Sequence, residues 1–151
     1  MLEELQVKAM LCYLFGSRAK EIDMQGWSFE RSKRTGRLKY VRNAEGKLLF
    51  VVREDGTMAP TLDGARVLLK HGAMTDCSVI VGEQGMQRLV RGYNVLAAQL
   101  EGVGKGIRPK SDVIILDKSG NVRGVGRAVL SAHQLKFIRY GIAVKVRRVE
   151  A

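Results

Sequence analysis

The chain has 151 residues, 46% hydrophobic and 27% charged, with 26 Lys and Arg against 15 Asp and Glu for a formal net charge of +11. That length suits one ordinary domain or two small ones, and the basic excess favours a polyanionic partner, because each cation set against a phosphate releases condensed counterions. No apolar run approaches the ~20 residues that span a bilayer, and the acidic N-terminal stretch is unlike a secretory leader, so a soluble, cytoplasmic protein is expected.

Residues 2–22 read as a helix. Leu2, Leu5, Ala9, Cys12 and Tyr13 recur near helical spacing, with Leu14 and Phe15 thickening the stripe. From residue 27 the pattern changes to that of strands. "WSFERSK" and "RLKYVRN" alternate, and "KLLFVVRED" is a nearly continuous apolar run. The turns "RTGR" and "NAEG" join them into an antiparallel meander of about three strands. "TLDGARVLLK" reads as a short helix with Thr61 as its N-cap. The pattern restarts in "HGAMTD", which sets expected domains of 1–74 and 75–151.

The second half has another rhythm. "CSVIV" is a short buried strand, and "EQGMQRLVRG" is a helix stopped by Gly92. "NVLAAQLEGV" reads as one strand leading into the glycine-rich stretch "EGVGKGIRPKS", expected to be a mobile basic connection. "SDVIILD" and "VRGVGRAVL" pair across the turn "KSGN". "SAHQLKFIRYG" reads as a short helix capped by Ser131 and stopped by Gly141, and "IAVKVRRV" as the last strand. The fold class is therefore α+β: a small N-terminal α/β-meander domain, then a mixed β pseudobarrel.

The glycines do not make a nucleotide site. A phosphate loop needs Gly, four residues, Gly-Lys, then a hydroxyl. Around Gly104-Lys105 the first glycine position is Gln99 and the hydroxyl position is Gly106. The dinucleotide fingerprint fails at Ile107 after Gly102-Val103-Gly104, and at Val129 after Gly124-Val125-Gly126. His71 and His133 have no metal-like neighbours, and Cys12 and Cys77 have no zinc spacing. The cysteines read as reduced, largely buried thiols, and Asp112 and Asp117 as turn residues bracketing a strand. No catalytic residue, metal or cofactor is expected.

The basic residues carry the functional signal. Residues 1–75 hold 13 basic and 9 acidic side chains, and residues 76–151 hold 13 basic and 6 acidic. Arg31, Lys33, Arg34, Arg37, Lys39 and Arg42 crowd one hairpin, with Tyr40 among them. Arg88 and Arg91 lie three apart on a helix and share a face, with Gly92 and Tyr93 at its end. Lys105 and Arg108 belong to the glycine-rich stretch, and Arg127, Lys145 and Arg147 to strands. Such cations suit phosphate contacts.

"SVIV", "EQGMQRLVRGYNV", "IRPKSDVIILDKSGNVRGVGRAVLS" and "RYGIAVKVR" together resemble the PUA domain, a small RNA-binding pseudobarrel. "MLCYLFG", "ERSKRTGRLKYV" and "LLFVVREDGTMAPTLDGARVLL" resemble the domain that precedes it in the C-terminal region of archaeal archaeosine tRNA-guanine transglycosylases. The chain departs from the family's Pro-Gly-Asp at Pro109-Lys110-Ser111-Asp112. The resemblance implies a non-catalytic RNA binder, with transfer RNA its partner through the acceptor stem and 3′ end. It would act alone or beside a catalytic transglycosylase subunit. It implies an RNA face of Arg88, Arg91, Gly92 and Tyr93 with Lys105 and Arg108 near it; Arg127, Lys145 and Arg147 are the added strand cations. A protein-interaction or ribosome-assembly module on the same barrel is the alternative, and an enzyme with an unrecognised site a third reading.

Overall fold

The computed structural model describes residues 2–150. It divides into two compact units, Met1–Ala73 and Met74–Ala151. The first opens with α1, Leu2–Phe15, after which a separate 3-10 turn covers Ser17–Glu21. The helix buries Val7 and Leu11, one turn apart. Leu2, Leu5 and Tyr13 of the expected stripe face solvent, Tyr13 being 90% exposed. Apolar residues surround this helix on every side, so their spacing alone does not select the buried face.

Four strands follow, not three: β1 (Ser28–Arg31), β2 (Leu38–Arg42), β3 (Leu48–Val52) and β4 (Met58–Pro60), paired antiparallel in chain order. β4 has only three residues and ends in proline. Its position at the sheet edge tolerates the missing donor. Helix α2, Leu62–Lys70, returns across β3. The Thr61 hydroxyl accepts the Gly64 amide at 3.2 Å and donates to the Leu48 carbonyl at 2.6 Å, which caps α2 and fastens it to the sheet. Val41, Leu49, Phe50, Met58 and Leu68 fill the core, and Phe15 stacks on Phe50 with centroids 6.0 Å apart.

The second unit is a six-stranded mixed sheet in the order β6-β10-β9-β8-β5-β7. Its strands are β5 (Ser78–Val81), β6 (Val95–Leu96), β7 (Leu100–Val103), β8 (Asp112–Leu116), β9 (Val122–Ala128) and β10 (Ile142–Val149). Helix α3, Glu83–Leu89, and the single turn α4, Ala132–Leu135, complete it. The expected strand "NVLAAQLEGV" is two strands, β6 and β7, separated by a 3-10 turn at Ala97–Gln99. Those strands lie at opposite ends of the sheet order. Three linking residues reach at most ~14 Å, whereas the edges of a flat six-stranded sheet lie ~24 Å apart. The sheet must therefore curl into a pseudobarrel. Val79, Val81, Leu89, Val113, Ile115 and Val144 lie in its core.

The glycine-rich stretch is anchored rather than mobile. The Gly104 amide donates to Ser78 O at 2.8 Å and the Gly106 amide to Asp76 O at 2.9 Å. A Cβ at Gly104 would run into the Asp76 carbonyl. Ile107 is buried at 3% exposure. Lys110 then adopts a left-handed φ of 72°, a conformation that costs a non-glycine residue ~1–2 kcal/mol. Lys110→Gly is expected to stabilise the protein by ~0.5–1 kcal/mol after the entropic cost of glycine, seen as a melting temperature higher by a few degrees.

Asp117 is a turn residue, accepting the amides of Ser119 and Asn121, each at 2.9 Å. The Asn121 amide foremost holds its carboxyl below the ordinary range. Cys12 and Cys77 are free and half-buried. Burial pushes the Cys77 thiol upward, and the neighbouring Asp76 and Asp112 add to the shift. It is correspondingly poor in thiolate.

Candidate nucleic-acid interface

Helix α3 stops at Leu89, so Arg91 lies in the turn that closes it. The Gly92 amide donates to Leu89 O at 2.8 Å and the Tyr93 amide to Arg88 O at 3.2 Å. This pair of bonds is a Schellman motif, and it needs the left-handed residue that Gly92 supplies at φ 85°. The Arg91 amide donates to Arg88 O at 3.1 Å, and in such a tightened turn the side chains at i and i+3 eclipse. Arg88 and Arg91 thus keep a common face. The Arg88 guanidinium lies over the Tyr93 ring, 4.8 Å from its centroid, an arrangement that presents cation and ring together. Arg88, Arg91 and Tyr93 are all exposed, and no atom lies within 4 Å of where a Gly92 Cβ would sit.

Asn94 ties this cap to the barrel. Its Oδ1 accepts the amide of Val146 at 2.9 Å, between Lys145 and Arg147. By sequence alone Asn94 reads as no more than the first residue of a strand. Across the strands, Asp112 stands opposite Arg127, and Arg127 opposite Lys145. Directly opposed cations destabilise a sheet, so the Arg127–Lys145 pair is better suited to an anionic partner than to stability. The Arg127 Nε donates to Lys110 O at 3.3 Å. Arg147 is engaged by the Asp112 carboxylate at 3.3 Å. Arg108 is exposed in a turn closed by the Ser111 hydroxyl. Lys105 lies elsewhere, in the wall of a groove shared with α4.

In the first unit, Arg31, Lys33, Arg34, Arg37 and Lys39 line a groove of about 670 Å³ beside the turns of the β1–β2 and β3–β4 hairpins. Arg31 is partly spent on Glu3 at 3.5 Å. Lys39 and Arg42 both lie over Tyr40, at 5.0 and 5.7 Å from the ring centroid. Among the described residues no cluster of His, Cys, Asp or Glu could hold a metal ion, and no helix is long and apolar enough to cross a membrane. His71 caps α2, its Nδ1 lying 3.0 Å from Val67 O.

The curled mixed sheet is that of a PUA-type barrel, and residues 78–149 match the PUA domain family. Residues 5–73 match the patch-forming domain C2 of tRNA-guanine transglycosylase. Together the two matches take in nearly the whole chain, which is built of these two domain types in succession. Both are accessory, non-catalytic domains.

The tRNA-guanine(15) transglycosylase of Methanocaldococcus jannaschii is 30% identical over 147 residues, covering 96% of this chain and 22% of the relative. That of Thermococcus kodakarensis is 32% identical over 143 residues, covering 94% and 24%. The chain thus spans about a quarter or less of these curated relatives. Among solved structures, a hypothetical protein of Pyrococcus horikoshii superposes with a TM-score of 0.74 at 21% identity, over 95% of this chain and 87% of that one. A PUA domain protein of Thermoplasma acidophilum gives 0.70 at 17% identity, over 97% and 88%. At such identities the likeness concerns the fold alone.

Proposed function

We propose that this chain is a non-catalytic RNA-binding module of the cytoplasm whose partner is transfer RNA, gripped at the acceptor stem and 3′ end. The observation that carries this reading is the α3 cap. Arg88 and Arg91 offer phosphate contacts, Tyr93 offers a ring for an unpaired base, and Gly92 leaves room for backbone approach. Lys145 and Arg127 extend the cationic surface along the strand that Asn94 fastens beside the cap. Arg108, Lys105 and the basic groove of the first unit add sequence-independent phosphate contacts. The family pairing of C2 and PUA domains supports transfer RNA as the partner. It also supports service as an accessory to a catalytic transglycosylase chain.

Equilibrium binding of transfer RNA and of random-sequence RNA of equal length, each across a salt series, tests this. Transfer RNA is expected to bind more tightly. Its log affinity is expected to fall linearly with log salt, each phosphate contact adding ~0.7–0.9 to the slope. Equal affinity for both RNAs, with no salt dependence, overturns the reading. Co-purification with a transglycosylase catalytic chain separates a subunit from a lone binder.

A further inference from the structure

The sequence predicts a helix running on past Leu135, but α4 is a single turn. Ser131 and Gln134 cap it reciprocally, at 3.0 and 2.9 Å, and the chain beyond is irregular. That segment leaves Phe137 74% and Tyr140 78% exposed. Each ring directly follows a cation, in Lys136-Phe137 and Arg139-Tyr140. His133 meets Phe137 edge-on, with centroids 5.4 Å apart and planes at 72°. Beside them runs a groove of about 360 Å³ between β7 and α4, with Val103, Lys105, His133, Lys136 and Arg139 in its walls. The carboxylate in that wall, Glu101, is paired with Lys118 at 3.4 Å. Of the cations to which the sequence points, only Lys105 belongs here.

Grouped exposed apolar side chains mark an interaction surface. An apolar protein partner favours a continuous apolar patch depleted of charge. Here every ring is interleaved with a positive charge, which suits a ligand that alternates planar faces with anions. Unpaired nucleotides have that pattern, since bases stack on aromatic rings while cations track the backbone. A duplex keeps its base faces hidden and offers mainly phosphates and groove edges.

We infer that Phe137 and Tyr140, with the Lys105–Lys136–Arg139 groove, form a stacking platform for a single-stranded RNA segment, separate from the cap at Gly92. This rests on the RNA-binding reading above and adds a second surface to it.

The test is fluorescence anisotropy of the full chain with a labelled single-stranded oligoribonucleotide of about eight nucleotides, and with the same strand annealed to its complement. The single strand is expected to bind more tightly than the duplex. Phe137→Ala combined with Tyr140→Ala is expected to weaken it about tenfold or more, while Phe137→Tyr and Tyr140→Phe retain it. Both rings are exposed, and circular dichroism checks that the double variant is folded. Two results overturn the platform while leaving the RNA-binding reading intact, provided the wild type binds transfer RNA. One is equal oligonucleotide affinity in the wild type and the double-alanine variant. The other is a double-alanine variant that loses affinity for the duplex as much as for the single strand. Loss of capture of a protein partner with oligonucleotide affinity unchanged makes the surface a protein interface, and equally overturns the proposal. Absence of salt-dependent binding to any RNA removes both readings.

Discussion

Replacing Arg88 and Arg91 together by glutamate is expected to weaken transfer-RNA binding about a hundredfold, at ~1.5 kcal/mol for each charge-assisted hydrogen bond removed. Both side chains sit on the tightened turn that ends α3, and they share a face because Arg91 donates its amide to Arg88 O. Reversal removes two cations and adds two repulsive anions, so the salt slope should also fall by about two. Isothermal titration at two or more salt concentrations reads both quantities. Arg88→Lys separates charge from stacking: it keeps the cation but loses the planar group over Tyr93, and a smaller loss is expected. Unchanged affinity in the double reversal would place the RNA on another face.

Gly104→Ala is expected to destabilise the second unit directly. Its added methyl would meet the Asp76 carbonyl, where β7 runs on beside the start of β5. The two segments are held by hydrogen bonds that the Gly104 and Gly106 amides donate to Ser78 O and Asp76 O, so neither can retreat without breaking one. Overpacking of this kind costs ~1–3 kcal/mol, and a domain of this size loses ~4–8 °C in melting temperature for each kcal/mol. Thermal unfolding followed by circular dichroism measures the loss. A melting temperature unchanged within a degree would show that the stretch is as loose as its composition suggests.

That stretch illustrates which parts of the structure were legible. Its glycines invite a mobile loop because flexibility is what glycine offers locally. Their actual role is close approach to Asp76 and Ser78, contacts made across the fold and invisible to a local reading. Features set by neighbouring residues were readable. Thr61 and Ser131 cap the helices expected of them, and Gly92 ends α3, because capping chemistry acts within three or four residues. The division of "NVLAAQLEGV" was not readable, since Ala97–Gln99 continues an apolar run with no breaker in it. Nor was the buried face of α1, where Val7 and Leu11 win over a second apolar stripe. The candidate interface divides in the same way. Arg88, Arg91, Gly92 and Tyr93 follow from helix spacing and a stop signal. Asn94 and the company kept by Lys105 depend on β10 and α4, distant in the chain. Phe137 and Tyr140 were hidden by an expected helix that ends after one turn.

The three-residue turn at Ala97–Gln99 has a topological consequence. It joins the first strand of the sheet order to the last, so the seam of the barrel is a covalent link rather than a row of hydrogen bonds. A seam of that kind cannot slip in register, and it resists splaying even when neighbouring strands loosen. It also makes the two margins of the sheet close in sequence, so their approach needs little loop closure during folding. The barrel is laced at its seam by the chain itself, and lengthening that lace would let its two unpaired strand edges part and open to strands from other molecules.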